Sequence, residues 1–370
     1  MEIKNKAVKV AIIHDWLTGM RGGEKCLEVF CELFPDATIH SLVHVKGSLS
    51  DTIERMNIKT SILQAFPDID KTYRYFLPFM PKLIEQFDLS GYDLIFSSSH
   101  CVAKGVKIPS NSTHICYCYT PMRYIWDMYG QYFGNSKPHV RLAMKILRPH
   151  LQKWDVRSSK RVDDFIAISE YIRERIQRHY NRDSTVIYPP VDTDFYSLLQ
   201  NVSHEAGYYL AVSAFAPYKR IDLTIETFNR LGLPLKVIGS GQDEKKLKSI
   251  ARGNIEFLGW KNNDDLRTHY RNCRALIFPG EEDFGIVPVE AQSCGKPVIA
   301  YKKGGTVETI IEGKTGIFFE EQTIESLSAA VNKLENTQFS ADEISSHAAK
   351  FSRRKFKVEI QRFVENRLKN

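Results

Sequence analysis

The chain has 370 residues, 43% of them hydrophobic and 26% charged, with a formal net charge of +7. That is too long for one ordinary core, so two domains are expected, and no stretch approaches the roughly 20 apolar residues needed to cross a bilayer. The basic balance points to an anionic partner (nucleotide, nucleic acid or membrane surface) without choosing among them.

The first half alternates short apolar runs with helical patterns, as a parallel sheet with crossover helices requires. Val8–Ile13 reads as a first buried strand. It is too short for a signal peptide, and charges close it where a small-residue cleavage site should follow. Glu24–Leu33 follows as an amphipathic helix with Cys26, Val29, Phe30 and Leu33 on one face. Asp93–Phe96, His114–Tyr117 and Phe165–Ile168 read as further strands, with Ser169 placed to cap a helix over Glu170–Arg178. Cys116 and Cys118 would share one face of their strand. No second pair stands at zinc-finger spacing, so the seven scattered cysteines read as small buried hydrophobes in a reducing cytoplasm.

Lys137–Arg161 carries Arg141, Lys145, Arg148, Lys153, Arg157, Lys160 and Arg161 against an apolar stripe of Val140, Leu147, Leu151 and Trp154 that Pro149 interrupts. This is either a solvated helix face or a basic face toward anionic lipid head groups or a lipid diphosphate acceptor on the inner side of the membrane.

Tyr188-Pro189-Pro190-Val191-Asp192 breaks the pattern, because two prolines forbid both helix and central strand. The domain boundary is expected between Pro190 and Asn201, dividing 1–192 from 193–350. Asp192-Thr193-Asp194 resembles a metal-binding Asp-x-Asp, but after two prolines it reads as a turn, and no essential metal or other cofactor is expected. A second series follows: strand Tyr208–Val212, helix Leu223–Arg230, then strands Leu235–Ile238, Ile255–Leu258, Ala275–Phe278 and Val298–Ala300. From Ser352, apolar Phe356, Ile360, Phe363, Val364 and Leu368 stand at helical spacing, so 351–370 should form a final amphipathic helix that packs back on the first domain. The predicted fold is therefore α/β, two doubly wound Rossmann-like domains facing a cleft, with ligand at the carboxyl ends of the strands.

Three loops carry the chemistry. Gly280–Glu290 follows one strand and opens a helix. Glu282 and Glu290 lie eight positions apart there, and the N–H groups near Gly285, Ile286 and Val287 suit a phosphate. Lys219 and Arg220, between a strand and a helix, can neutralise a diphosphate leaving group. Gly22 and Gly23, in the loop after the first strand, allow close backbone approach. That loop is neither a P-loop nor a dinucleotide fingerprint.

Together these segments resemble the family-4 (group 1) retaining glycosyltransferases of GT-B architecture, from Val8 to about Glu312. Glu282–Glu290 matches the family's Glu-x7-Glu segment. Cys294–Val298 matches its small-Gly-x-Pro-Val strand, Gly304–Glu308 its Gly-Gly-x-x-Glu turn, and Gly313–Gly316 its Gly-x-x-Gly turn. Tyr119–Asp127 is similar to bacterial polysaccharide and O-antigen enzymes, often mannosyltransferases. The resemblance implies transfer of a hexosyl group from GDP-mannose, UDP-glucose or another UDP-hexose to a saccharide or lipid-linked acceptor, with no nucleic-acid partner. It implies Glu282 near the donor sugar with Phe284 beside it, and Glu290 on the ribose. It places Lys219, Ile286 and Val287 on the diphosphate, Gly22, Gly23 and Gly239 at the donor, and Leu258 to Lys261 along the base. Two positions depart from the family: Ala214 replaces an early Arg, for which Arg220 could compensate, and Tyr119 replaces a His, with His100 the nearest other imidazole. A sugar-nucleotide epimerase of the same architecture is the alternative reading. A basic nucleic-acid binder lacks any recognisable motif.

Overall fold

The computed structural model of the chain describes residues 2–3, 6–134, 136–198 and 207–369; Asn201, where the expected boundary region ends, lies outside them. The chain divides into two compact units, Met1–Tyr188 with Phe356–Asn370, and Pro189–Lys355.

The first unit is built on a seven-stranded, wholly parallel sheet. Its strands are β1 (Val10–His14), β2 (Thr38–Ser41), β3 (Asn57–Thr60), β4 (Leu94–Ser99), β5 (Thr113–Cys118), β6 (Asp164–Ala167) and β7 (Ser184–Val186), in the spatial order β3-β2-β1-β4-β5-β6-β7. Every residue of β1 and β4 is buried, as crossover helices on both faces demand. Helix α1 (Gly22–Leu33) buries Cys26, Val29 and Phe30, and the Phe30 ring lies 4.7 Å from Phe96 and 5.4 Å from Tyr117. Truncating such a fully buried aromatic to alanine costs about 3–5 kcal/mol. Helix α2 (Pro138–Ser159) runs unbroken through Pro149, and Met144 joins Leu151 and Trp154 on its buried side. Expected as an interruption, Pro149 removes its own helical N–H and crowds the Lys145 carbonyl, yet the helix continues past it with Leu151 and Trp154 buried. Helix α3 (Glu170–Tyr180) starts at Ser169, whose hydroxyl accepts the Ile172 N–H at 3.1 Å.

The second unit carries a six-stranded parallel sheet of β8 (Tyr209–Val212), β9 (Leu235–Ile238), β10 (Ile255–Gly259), β11 (Leu276–Phe278), β12 (Val298–Tyr301) and β13 (Gly316–Phe319), ordered β10-β9-β8-β11-β12-β13. Helix α4 (Ile221–Leu231) follows β8, and α5 (Ile286–Ser293) follows β11. The last helix, α6 (Arg353–Lys369), buries Phe356, Ile360 and Val364 at four-residue spacing. Phe356 packs 5.7 Å from Phe30 and 5.5 Å from Tyr117, while Lys357 pairs with Glu32 at 3.2 Å and Arg367 with Asp164 at 2.5 Å. No helix among the described residues is long and apolar enough to cross a membrane.

Each sheet has one place where the chain reverses its winding direction. In the first unit it falls between β1 and β4, in the second between β8 and β11. The loops leaving those strands part to opposite sides, and the crevice between them is where ligands of such folds bind.

Candidate active site

In the second unit, the loops after β8 and β11 carry Lys219 and Glu282. The Lys219 ammonium donates directly to the Glu282 carboxylate, with both side chains more than four-fifths buried. A small cavity of about 10 Å³, room for a single water, is lined by both residues together with Val212, Ser213, Phe278 and Gly280. Two close backbone approaches hold the Glu282 loop. Gly304 has φ +78°, and a Cβ there would stand 2.3 Å from the Glu282 carbonyl oxygen; Gly305 donates its N–H to that same oxygen at 2.8 Å. The glycine pair is therefore the floor on which Glu282 is set.

Gly285, at φ +96°, turns the chain into α5. The first N–H groups of a helix, here those of Ile286 and Val287, have no partner within it, and the helix dipole makes them suitable for an anion. Phe284 is buried, its ring 5.6 Å from Phe351. One turn along α5, Glu290 is buried and accepts the Tyr270 hydroxyl at 3.0 Å. Burial, and next the charge of Glu290, push the Tyr270 phenol well above its ordinary range, so it stays a donor. Gly239, at φ +141°, ends β9 where a Cβ would strike the Ser213 carbonyl oxygen at 1.8 Å. Leu258 and Lys261, at and beyond the end of β10, are partly exposed. Arg220 sits in the left-handed region at φ +53°, and its guanidinium reaches Asp222 and Gln322, each at 3.3 Å. It is thus tied to the start of α4 through Asp222 and to the segment after β13 through Gln322, and the Asp222 carboxylate offsets its charge.

In the first unit, the loop after β1 and the end of β4 build a second cluster. Asp15, fully buried, accepts the backbone N–H groups of His100, Cys101, Val102 and Ala103 at 2.6–3.0 Å, and its Oδ2 lies 3.0 Å from His100 Nδ1. Burial alone would raise the Asp15 carboxyl; the charge and hydrogen bonds of His100 outweigh it and hold the group well below the usual carboxylate range. With Nδ1 engaged, the partly exposed His100 ring meets Trp16 edge-on at 4.6 Å.

Beside it runs a hydrogen-bond chain. The Tyr119 hydroxyl donates to the Gly23 carbonyl at 2.8 Å, so the Ser98 hydroxyl, 2.7 Å away, donates to Tyr119; Ser98 in turn lies 3.0 Å from His14 Nδ1. That order of donors makes His14 Nδ1 the N–H. His14 Nε2 faces Glu24 at 3.6 Å, and Glu24 accepts the Arg21 N–H at 3.0 Å across the start of α1. Burial would raise the Glu24 carboxyl, but the neighbouring His14 imidazole outweighs it and holds the group below its ordinary value. A Cβ on Gly23 would stand 3.6 Å from the Tyr119 ring and 3.7 Å from His14, an ordinary contact, so Gly23 is held by its carbonyl rather than by crowding.

Residues flagged from sequence thus fall into two clusters, one per unit: Lys219, Glu282, Gly285 and Glu290 in one, Gly22, Gly23, Tyr119 and His100 in the other. Sequence reasoning passed over Asp15, His14, Ser98 and Tyr270 as site residues. A carboxylate immediately after a buried first strand was the available signal for Asp15, whereas Tyr270 gave none. Asp192 accepts the Phe195 N–H at 3.1 Å within a turn. Among the described residues no group of three or more His, Cys, Asp or Glu could hold a metal ion.

The comparisons agree with this architecture. Residues 200–353 match the family model described as Glycosyl transferases group 1, and residues 37–195 that described as Glycosyltransferase Family 4. An uncharacterized glycosyltransferase of Methanocaldococcus jannaschii is 30% identical over 197 residues, 52% of this chain and 55% of the relative. The O-antigen chain mannosyltransferase C of Escherichia coli is 28% identical over 158 residues, 40% of this chain and 42% of the relative. The chain thus spans about half the length of these curated relatives. Anabaena HepE, solved with UDP and glucose, superposes with a TM-score of 0.71 at 16% identity, over 97% of this chain and all of that one. The fold is the GT-B architecture of two Rossmann-like units. Both family models describe glycosyltransferases, one matched in each half of the chain.

Proposed function

We propose that the chain transfers a hexosyl group from a nucleotide-diphosphate sugar, GDP-mannose or UDP-glucose or another UDP-hexose, to a saccharide or lipid-linked saccharide in cell-surface polysaccharide assembly, with retention of anomeric configuration and without a metal. The observation that carries this reading is the Lys219–Glu282 pair at the switch point of the second sheet, one turn from the start of α5. Lys219 and the N–H groups of Ile286 and Val287 would take the diphosphate, whose negative charge grows as it leaves. Glu282, released from Lys219 by that competition, would take the sugar hydroxyls. Glu290 would hold the ribose, with Tyr270 fixing the carboxylate, and Gly239, Leu258 and Lys261 would line the base. Arg220 braces the loop. Within the first unit, the Tyr119 hydroxyl sets the Gly23 carbonyl. His100, its Nδ1 held by Asp15, would meet the acceptor hydroxyl through Nε2.

A thermal-shift panel of UDP, GDP, UDP-glucose and GDP-mannose tests the donor assignment. A ligand held at about 100 times its dissociation constant adds roughly 2.7 kcal/mol. Stabilisation by none of the four would remove the nucleotide-sugar reading. His100→Gln should lower turnover and leave the donor-induced shift intact, and imidazole should partly restore turnover to His100→Ala. A variant that turns over normally would exclude His100 from the chemistry.

A further inference from the structure

On the first unit, the short helix Tyr129–Phe133 and the middle of α2 from Arg141 to Gln152 line a groove of about 520 Å³. Tyr129 and Phe133 line it with Arg141, Lys145, Arg148 and Gln152, and among the described residues no carboxylate does. The imbalance extends beyond the groove. From Met128 to Trp154 the sequence has Lys137, Arg141, Lys145, Arg148 and Lys153 but no Asp or Glu. Arg148 is already in position: its Nε donates to the Ile125 carbonyl at 2.7 Å, and its guanidinium lies 4.4 Å from the centre of the Tyr129 ring. A groove with fixed positive charge and no internal counter-ion suits an anion.

The outer surface of the same helix says which anion. Leu142 and Ile146 are 62% and 61% exposed, far more than isolated core-facing residues would be. Each follows a groove cation by one position, so the pair forms an apolar ridge turned about 100° around the helix from Arg141 and Lys145. A soluble phosphate would use the groove and ignore the ridge. A lipid phosphate uses both, with its head group among the cations and its chain against Leu142 and Ile146, and the aromatic rings at the boundary. We infer that this groove seats the phosphate of a membrane lipid, with Leu142 and Ile146 entering the apolar layer beside it.

The inference names the membrane partner within the transferase reading, but it uses none of that reading's donor-site residues. It is therefore tested on vesicles with no sugar donor present, and its failure leaves the nucleotide panel untouched. The full chain is co-sedimented with phosphatidylcholine vesicles and with vesicles also containing phosphatidylglycerol. Binding is expected only to the second, weakening with salt. Arg141→Ala with Lys145→Ala should lower apparent affinity about 30-fold, each cation near an anionic surface being worth about 1 kcal/mol. Leu142→Ser with Ile146→Ser should lower it about tenfold or more. Lys245→Ala with Lys246→Ala, an exposed pair on the second unit, should leave it unchanged. Equal binding to both vesicles, binding to neither, or an equal loss from the Lys245/Lys246 pair would overturn the inference. Displacement from vesicles by inorganic pyrophosphate, together with normal binding by the Leu142/Ile146 variant, would make the groove a site for soluble anions and also overturn it.

Discussion

Gly304→Ala separates two costs that usually arrive together. Gly304 and Gly313 both lie in the left-handed region, at φ +78° and +74°. A Cβ at Gly313 meets nothing within 4 Å, whereas at Gly304 it stands 2.3 Å from the Glu282 carbonyl oxygen. Both alanines carry the left-handed backbone cost, about 1–2 kcal/mol. Only the one at 304 must move something: restoring even the 3.4 Å of ordinary contact requires the Glu282 peptide to retreat by 3.4 − 2.3 = 1.1 Å. That retreat strains the 2.8 Å bond from Gly305 N–H to the same oxygen and shifts Glu282 relative to Lys219. A misplacement of about 1 Å at a reacting site costs on the order of 100-fold. Gly313→Ala should therefore lose about 1–2 kcal/mol in urea unfolding and keep wild-type release of nucleoside diphosphate. Gly304→Ala should be the less stable of the two and turn over about 100-fold more slowly. If the two variants unfold alike and both turn over normally, the glycine pair does not position Glu282.

Lys219→Met should slow single-turnover transfer by about 100- to 1,000-fold, or about 2.7–4 kcal/mol. Adding Glu282→Gln should cost little more, because residues that act as a unit are not additive; fully additive losses would show that they act separately. Arg220→Ala, whose side chain is occupied by Asp222 and Gln322, should cost far less than Lys219→Met, and an equal loss would make it a second diphosphate cation in place of Ala214. Glu290→Gln should weaken nucleotide binding by calorimetry while the Tyr270 contact and the fold persist, and unchanged affinity would exclude a ribose contact. Asp127 supplies a pH signature. Burial would raise its carboxyl, but the His179 hydrogen bond and the Arg175 charge bring it from 3.8 to about 2. A carboxylate depressed in the folded state contributes stability that is complete above its ordinary value and is lost as pH falls through the folded one. The deficit of Asp127→Asn relative to wild type should therefore be constant near neutrality and close between pH 3.8 and about 2; a gap that persists below that range would assign the loss to packing.

Much of the scaffold was legible because periodicity is a local property. The runs at Val10, Leu94, Thr113 and Leu235 are apolar and end in loop residues, so burial between helix layers shows in the sequence itself. Strands Thr38–Ser41, Asn57–Thr60, Ser184–Val186 and Gly316–Phe319 were not foreseen. Asn57–Thr60 and Ser184–Val186 are sheet-edge strands with polar residues and partial exposure, and they gain their form from the neighbouring ladder.

The sequence by itself determined that two wound α/β units follow one another, that loops after strands carry Lys219, Glu282 and the paired glycines, and that the last helix has an apolar face to bury. Tertiary structure alone decided which of those residues meet. Lys219 and Glu282 are 63 positions apart and pair only because β8 and β11 are neighbours. Asp15 and His100 are 85 apart and meet only because β1 lies beside β4. Strand order follows from how whole helix layers pack, a property of the assembled core that no local pattern of residues encodes.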